Sequence, residues 1–158
     1  MFKFFFKNSI ITITLITVWG CSNMHTQTDE IAEIKEVTSV ETAQRAKDFV
    51  TTSLKKVVID AKNKGPDTIN FVASDLFLKA ADASLNGDPV SAALILKYVV
   101  ELKPKDIYLR KKYAVELIKS SQLEEGKKEL TYLIKHGDKE IKAKAQLLLA
   151  GVFGALGD

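Results

Sequence analysis

The chain has 158 residues, of which 46% are hydrophobic, 27% charged and 8% aromatic, and its formal net charge is +3. This length suits one ordinary domain, and the apolar content is sufficient to fill a core. The small net charge argues against nucleic acid as a partner, since proteins that bind nucleic acid carry a strongly basic surface. Only three prolines occur, while Ala, Leu, Lys and Glu are plentiful. Because these residues favour helices, we predict an all-α fold.

The first twenty residues are organised like a signal for export. Lys3 and Lys7 supply positive charge without an acid, and an uncharged run rich in Ile, Thr, Leu and Val follows over residues 8–19. A basic start, a short apolar stretch and a small residue before the cleavage point are typical of a secretory signal peptide. A permanent transmembrane anchor is the less favoured alternative, because the run is shorter than the about 20 apolar residues that span a bilayer.

Cys21 is the only cysteine, and it follows this run within the sequence VWGCSN. One cysteine cannot close an internal disulfide, so an exported chain needs another use for it. Residues 1–21 resemble a bacterial lipoprotein signal, which ends in a small residue followed by the cysteine that receives diacylglycerol. Gly20 and Cys21 fit that pattern, and Val18 is a permitted replacement for the usual Leu, whereas Trp19 departs from it. The alternative is an ordinary signal peptide that stops beside a free thiol.

The lipoprotein resemblance implies that residues 1–20 are removed and that Cys21 becomes the lipidated first residue. In that family an Asp after the cysteine retains the protein at the inner membrane, and here Ser22 follows. The resemblance therefore implies an outer-membrane protein that faces the periplasm. Two or three acyl chains would make detachment negligible, since each buried methylene contributes about 0.8 kcal/mol.

Residues 21–38 are predicted to form a flexible tether behind the lipid. The segment is mostly polar, carries several acids and contains no residue that could begin a large core. A flexible chain of this length has a root-mean-square reach of about 20–25 Å. The alternative is that Ile31, Ile34 and Val37 form one or two helical turns when a partner binds.

Residues 39–158 are predicted to form one helical domain, because helix start and stop signals follow one another at short spacing. Thr38–Glu41 and Ser121–Glu124 match capping boxes, and Asp88 and Asp138 are N-cap residues. Gly65-Pro66 and similar turns separate the helices. The predicted helices span about 41–63, 67–86, 89–102, 106–119, 121–136 and 138–156. Helices joined by such short turns must lie antiparallel to their neighbours.

The central helices repeat with a period of 34 residues. A shift of 34 residues places Ala80 on Ala114 and Leu96 on Leu130, so that small residues fall on small and large apolar residues on large. This period is typical of the tetratricopeptide (TPR) repeat. The stretch LFLKAADASLNGDPVSAALILKYVVELKP, from Leu76 to Pro104, resembles that family. The resemblance implies an α-α superhelix with repeats at about 73–106 and 107–140, flanked by helix 41–63 and by a capping helix at 138–156.

The resemblance can be carried over residue by residue. Leu76 takes the place of the family's large aromatic residue, and Pro104 that of its terminating proline. Close approach of antiparallel helices requires small residues, and the matching positions are Ala80, Ala92, Ala114 and Gly126. In the second copy, Arg110 replaces the aromatic residue and Asp138 stands in place of the proline, so the second copy is the more degenerate one.

The last helix is apolar on nearly every side. We expect a buried stripe made of Ile141, Ala145, Leu148, Leu149, Val152 and Phe153. Leu147, Ala150, Ala155 and Leu156 lie beyond that stripe. Two alternatives explain them: the tail folds back under the long first helix, or it forms a surface for self-association or for a partner.

The TPR resemblance implies that the first helix of each repeat lines a groove that accepts a peptide or helix of another protein. The implied groove residues are Phe77, Ala81, Ser84, Tyr108, Lys111, Lys112 and Val115. Apolar contact beside lysine suits a segment with hydrophobic anchors and acidic residues or a terminal carboxylate. The family's carboxylate clamp needs Asn where this chain has Ala81 and Val115, so that version is not expected. The alternative for each residue is solvated surface or packing within the repeat.

The sequence contains no pattern that favours an enzyme, a metal site or a cofactor site. His25 and His136 do not form a pair with metal-ligand spacing, and no Gly-rich loop precedes a helix in the phosphate-binding manner. We therefore predict a lipid-anchored adaptor for another envelope protein, such as a secretin or a cell-wall enzyme, similar to pilotins of pilus and secretion systems. The alternatives are a structural lipoprotein that oligomerises through its C-terminal helix and a regulator of cell-wall enzymes.

Overall fold

The computed structural model describes the backbone of residues 24–157 and the side chains of residues 41, 42 and 44–157. This part of the chain is helical and contains no strand, which confirms the all-α prediction. Its helices are α1 (Met24–Lys64), α2 (Pro66–Leu85), α3 (Pro89–Leu102), α4 (Ile107–Lys119), α5 (Leu123–His136) and α6 (Lys139–Leu156). The predicted signal peptide, residues 1–20, and the predicted lipidation site, Cys21, lie outside the described residues.

The first helix differs from its prediction at its N-terminus. α1 begins at Met24 and runs without interruption to Lys64, so the segment predicted as a tether is helical from residue 24 onward. The predicted capping box at Thr38–Glu41 lies inside this helix and does not mark the start of a helix. The physical reason is that α1 contains neither Gly nor Pro, so no residue interrupts its backbone hydrogen bonds. The chain divides into two units, of which the second begins at Lys47.

The predicted stop after the first helix is confirmed. Gly65 follows α1 with φ of 100°, a conformation that glycine adopts without a steric cost. Pro66 is the first residue of α2, where the missing amide hydrogen costs no helical hydrogen bond. The Gly-Pro pair therefore ends one helix and starts the next within two residues.

Two predicted N-caps are confirmed by their hydrogen bonds. The Asp88 carboxylate accepts from the Ser91 N–H at 2.9 Å, directly before Pro89 at the start of α3. The Asp138 carboxylate accepts from the Ile141 N–H at 2.8 Å at the start of α6. Each bond satisfies an amide that has no partner within its own helix.

The predicted capping box at Ser121–Glu124 is wrong. Ser121 has φ of 60°, and Gln122, which makes no side-chain capping bond, precedes α5. The backbone N–H of Gln122 donates to the Leu117 carbonyl at 2.8 Å, and the N–H of Ser121 donates to the Ile118 carbonyl at 3.1 Å. This pattern is a Schellman motif. Ser121 therefore ends α4 and does not begin α5.

The same turn ends α2, 34 residues earlier. Gly87, which corresponds to Ser121 under the predicted period, has φ of 76°. The Asp88 N–H donates to the Ala83 carbonyl at 2.9 Å, and the Gly87 N–H donates to the Ser84 carbonyl at 3.2 Å. α2–α3 and α4–α5 are thus two helical hairpins whose first helices end with the same hydrogen-bond pattern.

Each helix from α2 to α5 packs against the next one along the chain. The first core cluster contains buried residues from α1 to α4: Val58, Ala61, Ala73, Leu76, Ala80, Ala93, Leu96, Tyr98, Val99, Val100, Leu102, Tyr113 and Leu117. The second core cluster is smaller and consists of Ala114, Leu130, Leu133, Ala145 and Val152. The apolar interior therefore thins toward the C-terminal end of the stack.

The small residues that were predicted to permit close helix packing are buried. Ala80, Ala92, Ala114 and Gly126 are all buried. A Cβ atom added to Gly126 would lie 3.3 Å from Ile118 Cγ1 and 3.8 Å from Leu117 Cβ. α4 and α5 thus pack closely enough that a large side chain at Gly126 would have to displace one of the helices.

Arg110, which departs from the family pattern, joins α4 to α5 by polar contacts. Its guanidinium lies 2.6 Å from the Glu129 carboxylate and 3.9 Å from the centre of the Tyr132 ring. Its Nε also donates to the Pro104 carbonyl at 2.7 Å. The Arg110 and Glu129 side chains are both mostly buried, so water screens the pair less than a surface pair. A charged network thus replaces the apolar contact expected at this position.

Candidate functional site

Three cavities are lined by residues of α2, α4 and α6, and together we call these cavities the groove. The Tyr108 cavity, about 520 Å³, lies between α2 and the start of α4. The Ala81 cavity, about 200 Å³, lies between the end of α2 and α4. The Lys111 cavity, about 350 Å³, lies between α4 and α6. The first two cavities share Phe77, and the last two share Ser84, Lys112 and Glu116, so each cavity borders the next, and we call their succession the path.

Each of the seven predicted groove residues lines at least one of these cavities. Phe77 and Tyr108 line the Tyr108 cavity, and Phe77, Ala81, Ser84 and Lys112 line the Ala81 cavity. The Lys111 cavity is lined by Ser84, Lys111, Lys112 and Val115. The structure therefore brings together all the residues that the resemblance singled out. Their role in binding a partner stays a prediction.

Aromatic side chains form one end of the groove. The Phe77 and Tyr108 rings are tilted by 56° with their centroids 6.0 Å apart, a common geometry for an attractive aromatic pair. The Nζ atoms of Lys111 and Lys112 each lie 5.6 Å from the centre of the Tyr108 ring. At this distance a cation is attracted to the face of the ring. Tyr108 thus connects the apolar and the basic parts of the groove.

The α2 edge of the groove exposes a row of large apolar side chains that sequence reasoning missed. Phe71 is 74% exposed, Leu78 67% and Leu85 88%. Their spacing of seven residues places them on one face of the helix. Leu78 lines the Tyr108 cavity and Leu85 lines the Ala81 cavity. The signal that could have revealed this row is the spacing of seven residues, which places the three side chains on a different face of α2 from the residues that pack on α3.

Glu116 lies at the junction of the Ala81 and Lys111 cavities, and it too was missed. It is only 6% exposed. Its Oε1 accepts from Ser84 Oγ at 2.9 Å and lies 2.8 Å from Lys119 Nζ. Its Oε2 is buried and has no hydrogen-bond partner in the described part of the chain. Such an atom costs stability, because its lost hydration is not replaced.

Basic side chains surround the part of the groove between α4 and α6. Lys111, Lys112, Lys119 and Lys144 all line the Lys111 cavity. Lys119 pairs with Glu116, and Lys144 pairs with Glu140 at 2.5 Å. Lys111 and Lys112 have no ion pair within the described residues. Glu116 is the one acidic residue that lines this cavity, and it is buried, whereas the Lys119 and Lys144 side chains are half exposed or more.

The outer surface of α6 departs in part from its prediction. Ala145 and Val152 are buried in the second core cluster, as expected for the predicted stripe. Leu148 is exposed, in disagreement with its predicted place in the stripe, because it lies on the rim of the Lys111 cavity. Leu147, which lies beyond the stripe, is 77% exposed, so the described part of the chain leaves this side chain uncovered.

The remaining chemistry of the described residues adds no second site. Among residues 41, 42 and 44–157, whose side chains are described, no three His, Cys, Asp or Glu side chains are arranged to hold a metal ion. Over residues 24–157, no helix is both long enough and apolar enough to cross a membrane. Tyr113, which faces a different cavity together with Val90 and Leu94, has its pKa raised to about 12, mainly by burial and further by Glu129 and Glu125.

Comparison with known proteins provides no relative for this chain. No protein-family model matches it, and neither a curated protein nor a solved structure is significantly similar to it. The family resemblances drawn from the sequence therefore stay predictions, and the evidence for function comes from the residues of the groove.

Proposed function

We propose that this protein is a membrane-anchored adaptor, built from TPR-like hairpins, that holds a segment of another envelope protein in the groove. The observation that carries the proposal is the row of three neighbouring cavities, which borders an exposed apolar edge and two lysines that form no ion pair with any residue whose side chain is described. Exposed apolar side chains beside a cleft are typical of sites that another polypeptide covers. Lipidation of Cys21 would hold the adaptor at the outer membrane, facing the periplasm.

The proposed partner is a protein that is assembled or localised at the cell envelope. A secretin of a pilus or secretion system is the first candidate, in which case the adaptor works like a pilotin. A cell-wall enzyme is the second candidate. The small size of the helical domain, with two hairpins and flanking helices, supports an accessory role rather than that of a large scaffold.

The groove is tested by blocking it. Ala81→Arg would place a long charged side chain in the Ala81 cavity, and we expect it to abolish crosslinking of the partner segment in native membranes. Ala143→Arg is the matched control, because Ala143 is exposed on α6 and lines none of the groove cavities. Equal crosslinking by wild type and Ala81→Arg, at unchanged helicity in circular dichroism, would contradict the proposal.

The anchor is tested by removing its sulfur. Cys21→Ser should leave the helical domain folded but release the protein from the membrane fraction, since no acyl chain can then be attached. Ser22→Asp is the control, which should keep the protein lipidated and move it to the inner membrane under the sorting rule of the family. Membrane retention of a cleaved Cys21→Ser product would rule out the lipid anchor.

Self-association through α6 is the second candidate function. Leu147 is 77% exposed on a helix surface that carries several other small and apolar residues. A second copy of the chain could cover this surface. Size-exclusion chromatography with light scattering should then show an oligomer that Leu147→Glu and truncation after Gly137 both convert to a monomer.

A further inference from the structure

We infer that the groove accepts a segment with two unlike halves, one apolar and one acidic, in which the apolar half lies against α2 and the acidic half lies between α4 and α6. This inference rests on the proposed function, because it specifies the chemistry of the segment that the adaptor holds. It follows from the distribution of apolar and charged side chains along the path of cavities.

The apolar half of the path lies along α2. Phe77 and Leu78 line the Tyr108 cavity, and Leu85 lines the Ala81 cavity. Leu78 and Leu85 are largely exposed, so a partner that covers them would remove a large apolar area from water. Burial of exposed Leu and Phe side chains favours association, because apolar surface is removed from water. This half therefore selects large aliphatic or aromatic side chains.

The other half of the path carries the positive charge. Lys111, Lys112, Lys119 and Lys144 surround the Lys111 cavity, and Glu116 is its one acidic lining residue. Lys119 and Lys144 are already paired within the chain. Lys111 and Lys112 lie over the Tyr108 ring, and neither forms an ion pair within the described residues, although Lys111 is among the charges that lower the pKa of Glu140. A segment with carboxylates fits this half, whereas a basic segment would be repelled.

Glu116 does not oppose an acidic ligand at the junction. The residue is 6% exposed, and its Oε1 contacts Ser84 Oγ and Lys119 Nζ. The side chain of Lys119, by contrast, remains half exposed. An acidic ligand therefore meets the lysine before it meets the glutamate.

The length of the path sets the size of the segment. The exposed α2 residues that line the path, Leu78 and Leu85, are seven residues or about 10 Å apart along the helix. An extended peptide of about sixteen residues, with a reach of about 50 Å, covers this edge and also reaches the lysines. This length fits a single continuous stretch of a partner chain.

The inference is tested with designed fluorescein-labelled peptides of this length and the full chain in detergent. The first peptide joins a Leu- and Phe-rich half to an Asp- and Glu-rich half. Three matched peptides replace its acidic half by Lys, its acidic half by Ser and Gln, or its apolar half by Ser and Gln. Fluorescence anisotropy should give an affinity for the first peptide on the order of tenfold higher than for each other peptide, with the Lys peptide weakest.

Charge reversal locates the acidic half. Lys111→Glu combined with Lys112→Glu should weaken binding of the first peptide by at least about tenfold and reverse the preference for acid over Lys. Lys55→Glu combined with Lys56→Glu is the matched control, an adjacent exposed pair on α1 that lines none of the groove cavities. It should leave the affinity within about twofold.

Glu116→Gln is expected to change the peptide affinity in the opposite direction, toward tighter binding. This change frees Lys119 from its ion pair, so the first peptide should bind about two to five times more tightly. Weaker binding would mean that the carboxylate itself contacts the ligand, which contradicts the inference. Equal binding of the acidic, Lys and uncharged peptides, or binding of none, would also overturn it. The proposed function is judged separately, by crosslinking of the native partner to wild type and to Ala81→Arg.

Discussion

α3 and α6 are both rich in apolar residues, yet the fold covers them very differently. α3 buries seven residues, among them Leu96, Val99 and Leu102. α6 is longer but buries only Ala145 and Val152. α3 packs against α2 and α4 and shares a core cluster with Val58 and Ala61 of α1, whereas α6 packs against α5 at the end of the stack.

The difference between these helices shows that position in the stack decides burial as much as composition does. A hairpin exposes an apolar side until a neighbour covers it, so inner helices are covered twice and the last one only once. The first core cluster should therefore carry most of the free energy of unfolding, and α6 should open most easily.

Leu76→Ala should cost about 2–5 kcal/mol in the free energy of unfolding, because Leu76 is buried in the first core cluster and truncation leaves a cavity. Leu147→Ala is the matched control on α6, where the side chain is largely exposed, and it should change stability by no more than about 0.5 kcal/mol. Urea unfolding followed by circular dichroism measures both. Equal losses would show that the two ends of the stack contribute alike.

Tyr113 should make the stability fall at alkaline pH. Burial, together with Glu129 and Glu125, raises the pKa of Tyr113 to about 12, whereas a phenol in the unfolded chain ionises near pH 10. The stability that comes from keeping this phenol neutral is therefore fully present below about pH 10. It should fall by about 2 kcal/mol as the pH rises to about 12, because the unfolded state then loses its proton first.

The measurement is urea unfolding as a function of pH for wild type and Tyr113→Phe. The variant should lose less stability over this interval than wild type, while the contribution of the lysines stays the same in both. Tyr98, whose pKa is raised by burial and by Glu101, should leave a smaller slope in the variant. Identical pH profiles would show that Tyr113 ionises as easily in the folded chain as in the unfolded one.

The two confirmed N-caps should have different consequences. Asp88→Ala and Asp138→Ala each remove one capping bond, worth about 1 kcal/mol. Loss of the α3 cap should lower the midpoint of global unfolding, since α3 cannot open without disrupting the first core cluster. Loss of the α6 cap should chiefly speed hydrogen exchange of α6 amides. A uniform increase in exchange over all helices of Asp138→Ala would show that α6 does not open by itself.

Much of the helical architecture could be predicted because the sequence marks helix ends chemically. Gly65-Pro66 and the capping carboxylates of Asp88 and Asp138 act within one turn, so a short stretch of sequence determines their effect. The prediction failed at Ser121, because this serine lies in the turn that ends α4 and is also a residue type that can begin a capping box. Local pattern alone could not choose between ending one helix and starting the next.

The candidate site was predictable only in part. The groove residues were predicted from the TPR resemblance, which implies positions on the first helix of each repeat. Glu116 was missed, because a glutamate in an amphipathic helix is ordinarily solvated, and only the approach of Ser84 and Lys119 buries it. The exposure of Phe71, Leu78 and Leu85 was also missed, since an apolar residue on a helix is ordinarily covered.

By itself the sequence determined the all-α class, most helix boundaries and the small residues where the helices cross, because propensity, capping and steric size act over a few residues. Which apolar faces are covered depended on the tertiary structure. Packing of the helices encloses α3 but not α6, and it buries a carboxylate among lysines in the groove. Those outcomes depend on which helix lies beside which, and burial and electrostatic screening arise from neighbours that are distant along the chain.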